Sequence, residues 1–382
     1  MRNPTVSFVI PCYKLGHLLP ECVNSILSQT YSDFEVLIMD DCSPDNTVDV
    51  ARSYRDPRIK HVRNERNLGH LRNYNKGIGM SRGKYVWLIS ADDYLRRPYI
   101  LRRYVEFMEK HPGVGYTFCP GIGISNGRET DLMGYYGNRD RILKGHTFLK
   151  KLLNYNFVLA PSAMARRECY EKISLFPLDA VWAGLPVEMG WVGDWYLWCV
   201  FALCFDVGYF AEPMVCYREH DLSMTNTLTR QNIESCVAAD IAVPWLIRQK
   251  ANERGLRKVS KVCLLGIAHE YAAQGAGKQY RSFTSSMSIG QLEESLCRST
   301  QNEKERNWIR ARLFEGIADN LWSRGDSLSA RKFYLLGLQK DWRMAKVYAK
   351  LLLLWFGKPG DYVRRLVRSV RTMAINRLLE GS

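Results

Sequence analysis

Paired aspartates close two apolar, β-rich runs within the first hundred residues, and no other feature constrains the fold as tightly. Phe34-Glu35-Val36-Leu37-Ile38-Met39 leads into Asp40-Asp41, and Tyr85 to Ile89 leads into Ser90-Ala91-Asp92-Asp93. A strand apolar at consecutive positions is buried on both faces, so its polar residues collect at its ends. Val6 to Ile10, closed by Pro11, and Ile59 to Val62 are two more runs of this kind. Between them Leu18 to Thr30, Val48 to Tyr54 and Arg72 to Ser81 read as helices, the first with Leu19, Val23, Ile26 and Leu27 on one face. Strands alternating with helices predict an α/β layer with a mostly parallel sheet. Ligands bind beyond the carboxyl ends of such strands, so Pro11-Cys12-Tyr13, Asp40-Asp41 and Asp92-Asp93 are expected to converge on one crevice. No GxGxxG or Walker pattern is present, so neither a dinucleotide fold nor a P-loop is supported. One aspartate pair serves equally well as a cap or turn. Two pairs at strand ends, with diphosphate oxygens completing the shell, suit Mg²⁺ or Mn²⁺.

These stretches carry a resemblance. Val6 to Tyr13, Ser25 to Tyr31 and Glu35 to Ser43 resemble the opening of family 2 glycosyltransferases. Asn67-Leu68-Gly69 with Arg72-Asn73, Gly83-Lys84-Tyr85-Val86 and Ala91-Asp92-Asp93 continue the pattern in order. The resemblance covers roughly residues 5–228 and implies the GT-A fold, a nucleotide-sugar donor, inversion at the transferred sugar and a divalent metal. It places Pro11, Tyr13 and Asp41 around the nucleotide base, Arg72 on the nucleotide or diphosphate, Asp92 on the ribose and Asp93 on the metal. A carboxylate accepting from uracil N3–H points to a UDP-sugar; GDP- and dTDP-sugars stay open. Lys14 stands where the family often has Asn.

Residues 115–229 are less regular. Gly121 to Gly127 and Met133 to Asn138 read as loops, and Phe148 to Leu153 and Arg167 to Ile173 as short helices. Asp194, in Gly193-Asp194-Trp195, fits a first-turn helix acid. In the family an acid here, usually within Glu-Asp-Trp, is the catalytic base; Gly193 replaces the first acid and Asp194 keeps the second, with Glu188 in reserve. Trp182 and Trp191 belong either to the core or to a sugar platform. Tyr217-Arg218-Glu219-His220-Asp221-Leu222-Ser223 resembles the family's closing motif, which implies His220 at the metal or diphosphate and Arg218 as a further diphosphate contact.

The 382 residues predict two or three domains. Charge divides them. Residues 230–382 hold 27 Lys and Arg against 14 Asp and Glu, whereas residues 1–229 hold 27 against 25. The expected organisation is a 1–229 GT-A domain, with a nucleotide half 1–114 and an acceptor half 115–229, then a helical, basic 230–382 region. Within the latter, Glu303 to Arg324 and Ser327 to Gln339 resemble one degenerate tetratricopeptide unit through Gly325, Ala330 and Leu338, fewer than an array requires. Tyr362 to Leu379 carries Val363, Leu366, Val367 and Val370 on one face and Arg364, Arg365, Arg368 and Arg371 off it. Such a helix lies on an anionic membrane or docks on protein. The eleven cysteines, without CxxC spacing, read as reduced, mostly buried thiols. No apolar run reaches spanning length and no signal peptide is evident, so a cytoplasmic protein, peripheral at the membrane, is expected. The acceptor expected is a glycan or lipid-linked hydroxyl. Two rivals are a non-catalytic scaffold of the same fold and a nucleic-acid binder; the latter lacks any reader motif or aromatic interleaving, and no nucleic acid is expected.

Overall fold

The structure, a computed structural model, describes residues 3–153, 156–182, 185–190, 192–220, 223, 227, 233–276, 288–298, 300 and 302–355. It forms two compact units, Met1–Trp182 with Pro186–Val259, and Ala183–Leu185 with Ser260–Ser382. Trp191 and the amphipathic segment Tyr362 to Leu379 lie outside the described residues.

In the first unit β1 (Val6–Cys12), β2 (Phe34–Asp40), β3 (Ile59–Arg63) and β4 (Tyr85–Leu88) alternate with α1 (Leu19–Leu27), α2 (Thr47–Ser53) and α3 (His70–Met80). There follow β5 (Tyr94–Leu95), α4 (Ile100–Lys110), β6 (Val114–Phe118), β7 (Gly121–Ser125), β8 (Arg128–Met133), β9 (Arg141–Leu143) and α5 (Gly145–Leu152). Then come β10 (Met164–Arg166), α6 (Arg167–Lys172), β11 (Asp179–Trp182), β12 (Leu185–Glu188), α7 (Gly193–Ala202), β13 (Asp206–Tyr209) and β14 (Val215–Glu219).

The main sheet runs β3-β2-β1-β4-β10-β6-β13-β9. Its first four strands are parallel, β10 is antiparallel to both neighbours, and β13 is again parallel to β6. The sheet is mostly parallel, as the alternation predicts. Every residue of β1, β2 and β4 is buried, which is why these runs are apolar at consecutive positions. On one face α1 and α4 close a core containing Phe8, Val36, Trp87, Ile26 and Tyr104.

A smaller sheet, β5-β14-β7-β8, crosses the acid-bearing end of β4. Here the structure corrects the sequence reading. Gly121 to Ser125 is a strand, pairing in parallel with β14 from Val215 to Glu219. It also pairs antiparallel with β8 across the Asn126-Gly127 turn, while β14 lies about ninety residues along the chain, beyond the reach of any local pattern.

The helix Ile233–Glu253 packs against α7 and β11, so the first unit extends past the compositional change at 229. Trp245 of that helix meets Trp182 edge to face at 6.2 Å. Trp182 is fully buried and belongs to the core, not to a sugar platform.

The second unit is helical: Arg257–Ala276, Ile289–Cys297, Glu303–Ser323, Ser327–Lys340 and Ala345–Trp355. Glu303–Ser323 ends in a Schellman turn, with Gly325 N–H bonded to Trp322 O and Asp326 N–H to Leu321 O. Gly325 takes φ +91°, a conformation open to glycine at no steric cost. Asp326 then caps the next helix through Ser329 N–H. Ala330 and Tyr334 bury against Ala311, Ala318 and Trp322. None of the eleven cysteines forms a disulfide, and nine are buried. Among the described residues no helix is long and apolar enough to cross a membrane.

Candidate functional site

Strand β1 lies between the two acid-bearing strands, and its end joins them. Asp41 N–H donates to Cys12 O at 2.9 Å, and Ala91 N–H donates to Pro11 O at 3.3 Å. The three polar clusters therefore converge, as expected from topology. Lys14 and Cys42 both take φ near +60°, the left-handed region, where β1 and β2 turn away. Tyr13 is 40% exposed, and the Lys14 ammonium sits 5.1 Å from its ring centre. The ring is thus available for stacking.

Asp40 is fully buried and structural: Ser43 N–H and Arg63 donate to its two oxygens. Asp41 is also buried and does more bracing than its sequence context reveals. Its Oδ1 accepts from Leu68 N–H at 2.7 Å and Asn64 Nδ2 at 2.8 Å, and its Oδ2 accepts from Gly69 N–H at 2.9 Å. Asn64 passes the network to Asn73 Oδ1, and Asn73 Nδ2 donates to Met39 O. This holds the 64–69 loop and the start of α3 against the end of β2. One acceptor lone pair on Oδ2 remains. Arg72, in the first turn of α3, is exposed and has no partner among the described residues.

At the end of β4, Asp93 is buried, and burial together with the neighbouring Asp92 charge pushes its carboxyl well above the usual range. Its Oδ1 accepts from Arg218 N–H at 3.0 Å. His220 Nε2 lies 3.0 Å from Asp92 Oδ2, so the histidine meets Asp92 and not Asp93. The Arg218 guanidinium donates to Asp92 O and to Glu21, and packs over the Tyr94 ring. Arg218 thus fastens β14 to the acid turn and to α1.

Three observations bear on a divalent ion. Asp92 Oδ1 is buried and finds no hydrogen-bond partner among the described residues. Two adjacent carboxylates raise each other's energy in a desolvated site. Imidazole and carboxylate together suit Mn²⁺, and carboxylates alone suit Mg²⁺. The residues fit such an ion. They do not form a complete cage, since no three metal-binding side chains converge among the described residues. Phosphate oxygens from a ligand would supply the remaining positions.

Asp194 sits at the second position of α7. Trp195 N–H donates to its Oδ1 at 2.7 Å and Asn156 Nδ2 to its Oδ2 at 3.1 Å. These bonds favour the charged form, yet burial outweighs them and raises the carboxyl to about 6. Glu188, on β12, is exposed. Gly193 is small for a packing reason: a Cβ there would come within 2.9 Å of both Leu71 and Phe176.

Sequence reasoning missed Tyr74, which links the two halves. The ring is stacked on Phe176, with centres 5.2 Å apart and planes 22° apart. Burial raises the phenol well above its usual range, and the carboxylates of Asp92, Asp93 and Asp194 raise it further. All three acids therefore lie near one side chain. Its only sequence signal is its place two residues after Arg72.

The family model described as glycosyl transferase family 2 matches residues 7–174. Those residues belong to glycosyltransferase family 2. The chain is 32% identical over 111 residues to glycosyltransferase GlyG of Streptococcus pneumoniae, covering 28% of this chain and 37% of that protein. It is 31% identical over 117 residues to the putative teichuronic acid biosynthesis glycosyltransferase TuaG of Bacillus subtilis, covering 30% and 46%. The matches thus span less than half the length of these curated relatives. Among solved structures, S. aureus TarS 1-349 in complex with UDP-GlcNAc is similar, with a TM-score of 0.58 and 16% identity, over 88% of this chain and 91% of that one. At that identity the likeness shows the fold: GT-A, with a helical region following the glycosyltransferase domain.

Proposed function

We propose that the family 2 domain transfers a sugar, with inversion, from a UDP-sugar to a hydroxyl of a glycan or lipid-linked acceptor. The observation that carries this reading is the gathering of Asp92, Asp93 and Asp194 around Tyr74, with Asp194 raised to about 6. A carboxyl titrating there is a base in neutral solution and a stronger one than an exposed aspartate. Asp194 takes the acceptor proton as the acceptor oxygen attacks the anomeric carbon. The bond from that carbon to the diphosphate breaks on the opposite face. One base suffices, and no covalent intermediate is needed.

The nucleotide lies over the end of β1, with Tyr13 against the base, Pro11 beneath it and the remaining Oδ2 lone pair of Asp41 toward the pyrimidine edge. Asp92 serves the ribose. Arg72 and the N-terminus of α3 face the diphosphate, where a cationic fork and free N–H groups favour anions. Asp93 and His220 would hold a divalent ion, which when bound neutralises charge on the departing diphosphate. A UDP-sugar is supported by the TarS structures, which contain UDP-GlcNAc and UDP. The excess of Lys and Arg beyond residue 229 supports work at an anionic membrane on its cytoplasmic side.

The deciding test is Asp194→Asn. We expect transfer to fall ~10²–10⁴-fold, the usual worth of a general base, with UDP affinity nearly unaltered. Near wild-type transfer would remove Asp194 from the role and pass it to Glu188 or another acid.

A further inference from the structure

Tyr74 is placed with more care than a packing residue requires. Its ring lies on Phe176, and the next residue, Asn75, grips the backbone of that same phenylalanine twice: Asn75 Nδ2 donates to Phe176 O at 2.9 Å and Phe176 N–H donates to Asn75 Oδ1 at 3.0 Å. Phe176 in turn abuts Gly193, the residue before Asp194. The phenol is therefore fixed relative to the proposed base. It is partly buried, yet its hydroxyl makes no hydrogen bond to any described residue. The oxygen is not among the sealed, unpartnered polar atoms of the described residues, so it reaches solvent, where a ligand oxygen can take the place of water. A phenol keeps its proton in neutral solution, so it is a donor there.

We infer that Tyr74 is a specificity residue whose hydroxyl donates a hydrogen bond to the sugar of the bound nucleotide sugar. The inference rests on the transferase reading. Inversion lines up the base, the acceptor oxygen, the anomeric carbon and the leaving oxygen. The sugar ring must then lie between Asp194 on one side and the diphosphate end, marked by Asp92 and Asp93, on the other. Tyr74, stacked on Phe176 beside Gly193, is within electrostatic reach of both sets of acids, and its hydroxyl is placed to meet a sugar held between them. A site built to hydrogen-bond a substrate oxygen discriminates strongly against ligands lacking it.

The test compares sugar-bearing and bare nucleotides, so it does not depend on turnover. Dissociation constants are measured for UDP, UDP-glucose and UDP-N-acetylglucosamine with Mn²⁺ present, on the wild-type chain, Tyr74→Phe and Asp194→Asn. Tyr74→Phe keeps the stack on Phe176 and removes one oxygen. For the tighter UDP-sugar, we expect its advantage over UDP to shrink about three- to tenfold in Tyr74→Phe, with UDP affinity itself unchanged. An unchanged ratio, or equal loss for UDP and UDP-sugar, overturns the assignment. Asp194→Asn is expected to keep the wild-type ratio. If Asp194→Asn transfers sugar normally while Tyr74→Phe loses its ratio, the base assignment fails and the Tyr74 contact stands. A wild-type chain that binds none of the three overturns both.

Discussion

Asp194 shows how burial competes with favourable local bonds. Its position in the first turn of α7 and two hydrogen bonds stabilise the carboxylate, but burial raises the carboxyl from an ordinary 3.8 to about 6. The sign follows from linkage. A carboxyl whose folded value exceeds its unfolded value costs no stability below about 4, where both states are protonated. The cost grows as pH rises toward 6 and is fully present above it. Asp194→Asn, which carries no charge, is therefore expected to melt at a higher temperature than wild type at pH 7–8, and the gap should close near pH 4. Thermal melts across that range check this; equal melting at pH 8 would mean the carboxylate is well solvated. The same value predicts that transfer rises with pH through about 6, as the base loses its proton. Stability and activity then pull the residue in opposite directions.

At the scale of elements, α3 is the part on which the site depends. It presents Arg72 outward, Asn73 to the backbone of β2, Tyr74 toward the acids, and Asn75 to Phe176. His70 Nε2 also meets Gly190 O at 3.0 Å, and burial lowers that imidazole's affinity for a proton. The helix thus ties the nucleotide half to the loop that leads into α7. Asn75→Ala removes both bonds to Phe176 and leaves its N–H and C=O unsatisfied. We expect a loss of about 1–3 kcal/mol in urea unfolding. Because Phe176 backs Gly193, we also expect kcat to fall while UDP affinity holds. A stability loss without any change in kcat would show that the stack does not position Asp194.

At the scale of the whole molecule, the helix Ile233–Glu253 decides where the first unit ends. It covers Trp182 with Trp245 and packs on α7, the helix that carries Asp194. A chain ending at residue 259 is expected to unfold in one cooperative transition and to bind UDP within a few-fold of the full chain. A chain ending at 229 would expose Trp182 and the outer side of α7, and we expect it to aggregate or melt far lower. Burying an aromatic side chain of this kind contributes about 1.5–3 kcal/mol, a large share of a domain's net stability. Circular dichroism melts of the two chains check this. Equal stability would place the helix outside the folding unit. Residues beyond 259 hold 21 Lys and Arg against 11 Asp and Glu, most of the net positive charge, so the shorter chains should also lose any salt-sensitive binding to anionic vesicles.

The sequence by itself determined residues 6–89 closely, while α4 (Ile100–Lys110) was not read from it. Runs buried on both faces, helices with one apolar face and acids at strand ends are local patterns, and β1 to β4 and α1 to α3 fall within a few residues of where those patterns put them. The ordered motifs also carried the family, because their spacing repeats a known arrangement of strand ends. Tertiary structure decided the rest. Gly121 to Ser125 is an inner strand: it pairs with Arg128 to Met133 across the local Asn126-Gly127 turn, but its other partner, Val215 to Glu219, is distant, and hydrogen bonding between distant segments leaves no local periodicity. Trp182 is core because Trp245 covers it, which its own neighbourhood in sequence cannot reveal. Asp41 proved to brace the 64–69 loop, and Asp194 took its raised carboxyl from burial and its partner Asn156 from 38 residues away. Tyr74 is placed by Phe176, about a hundred residues further along the chain, and its raised phenol comes from burial first and from Asp92, Asp93 and Asp194 second. Burial and electrostatic fields belong to the packed molecule, since they depend on what is close in space.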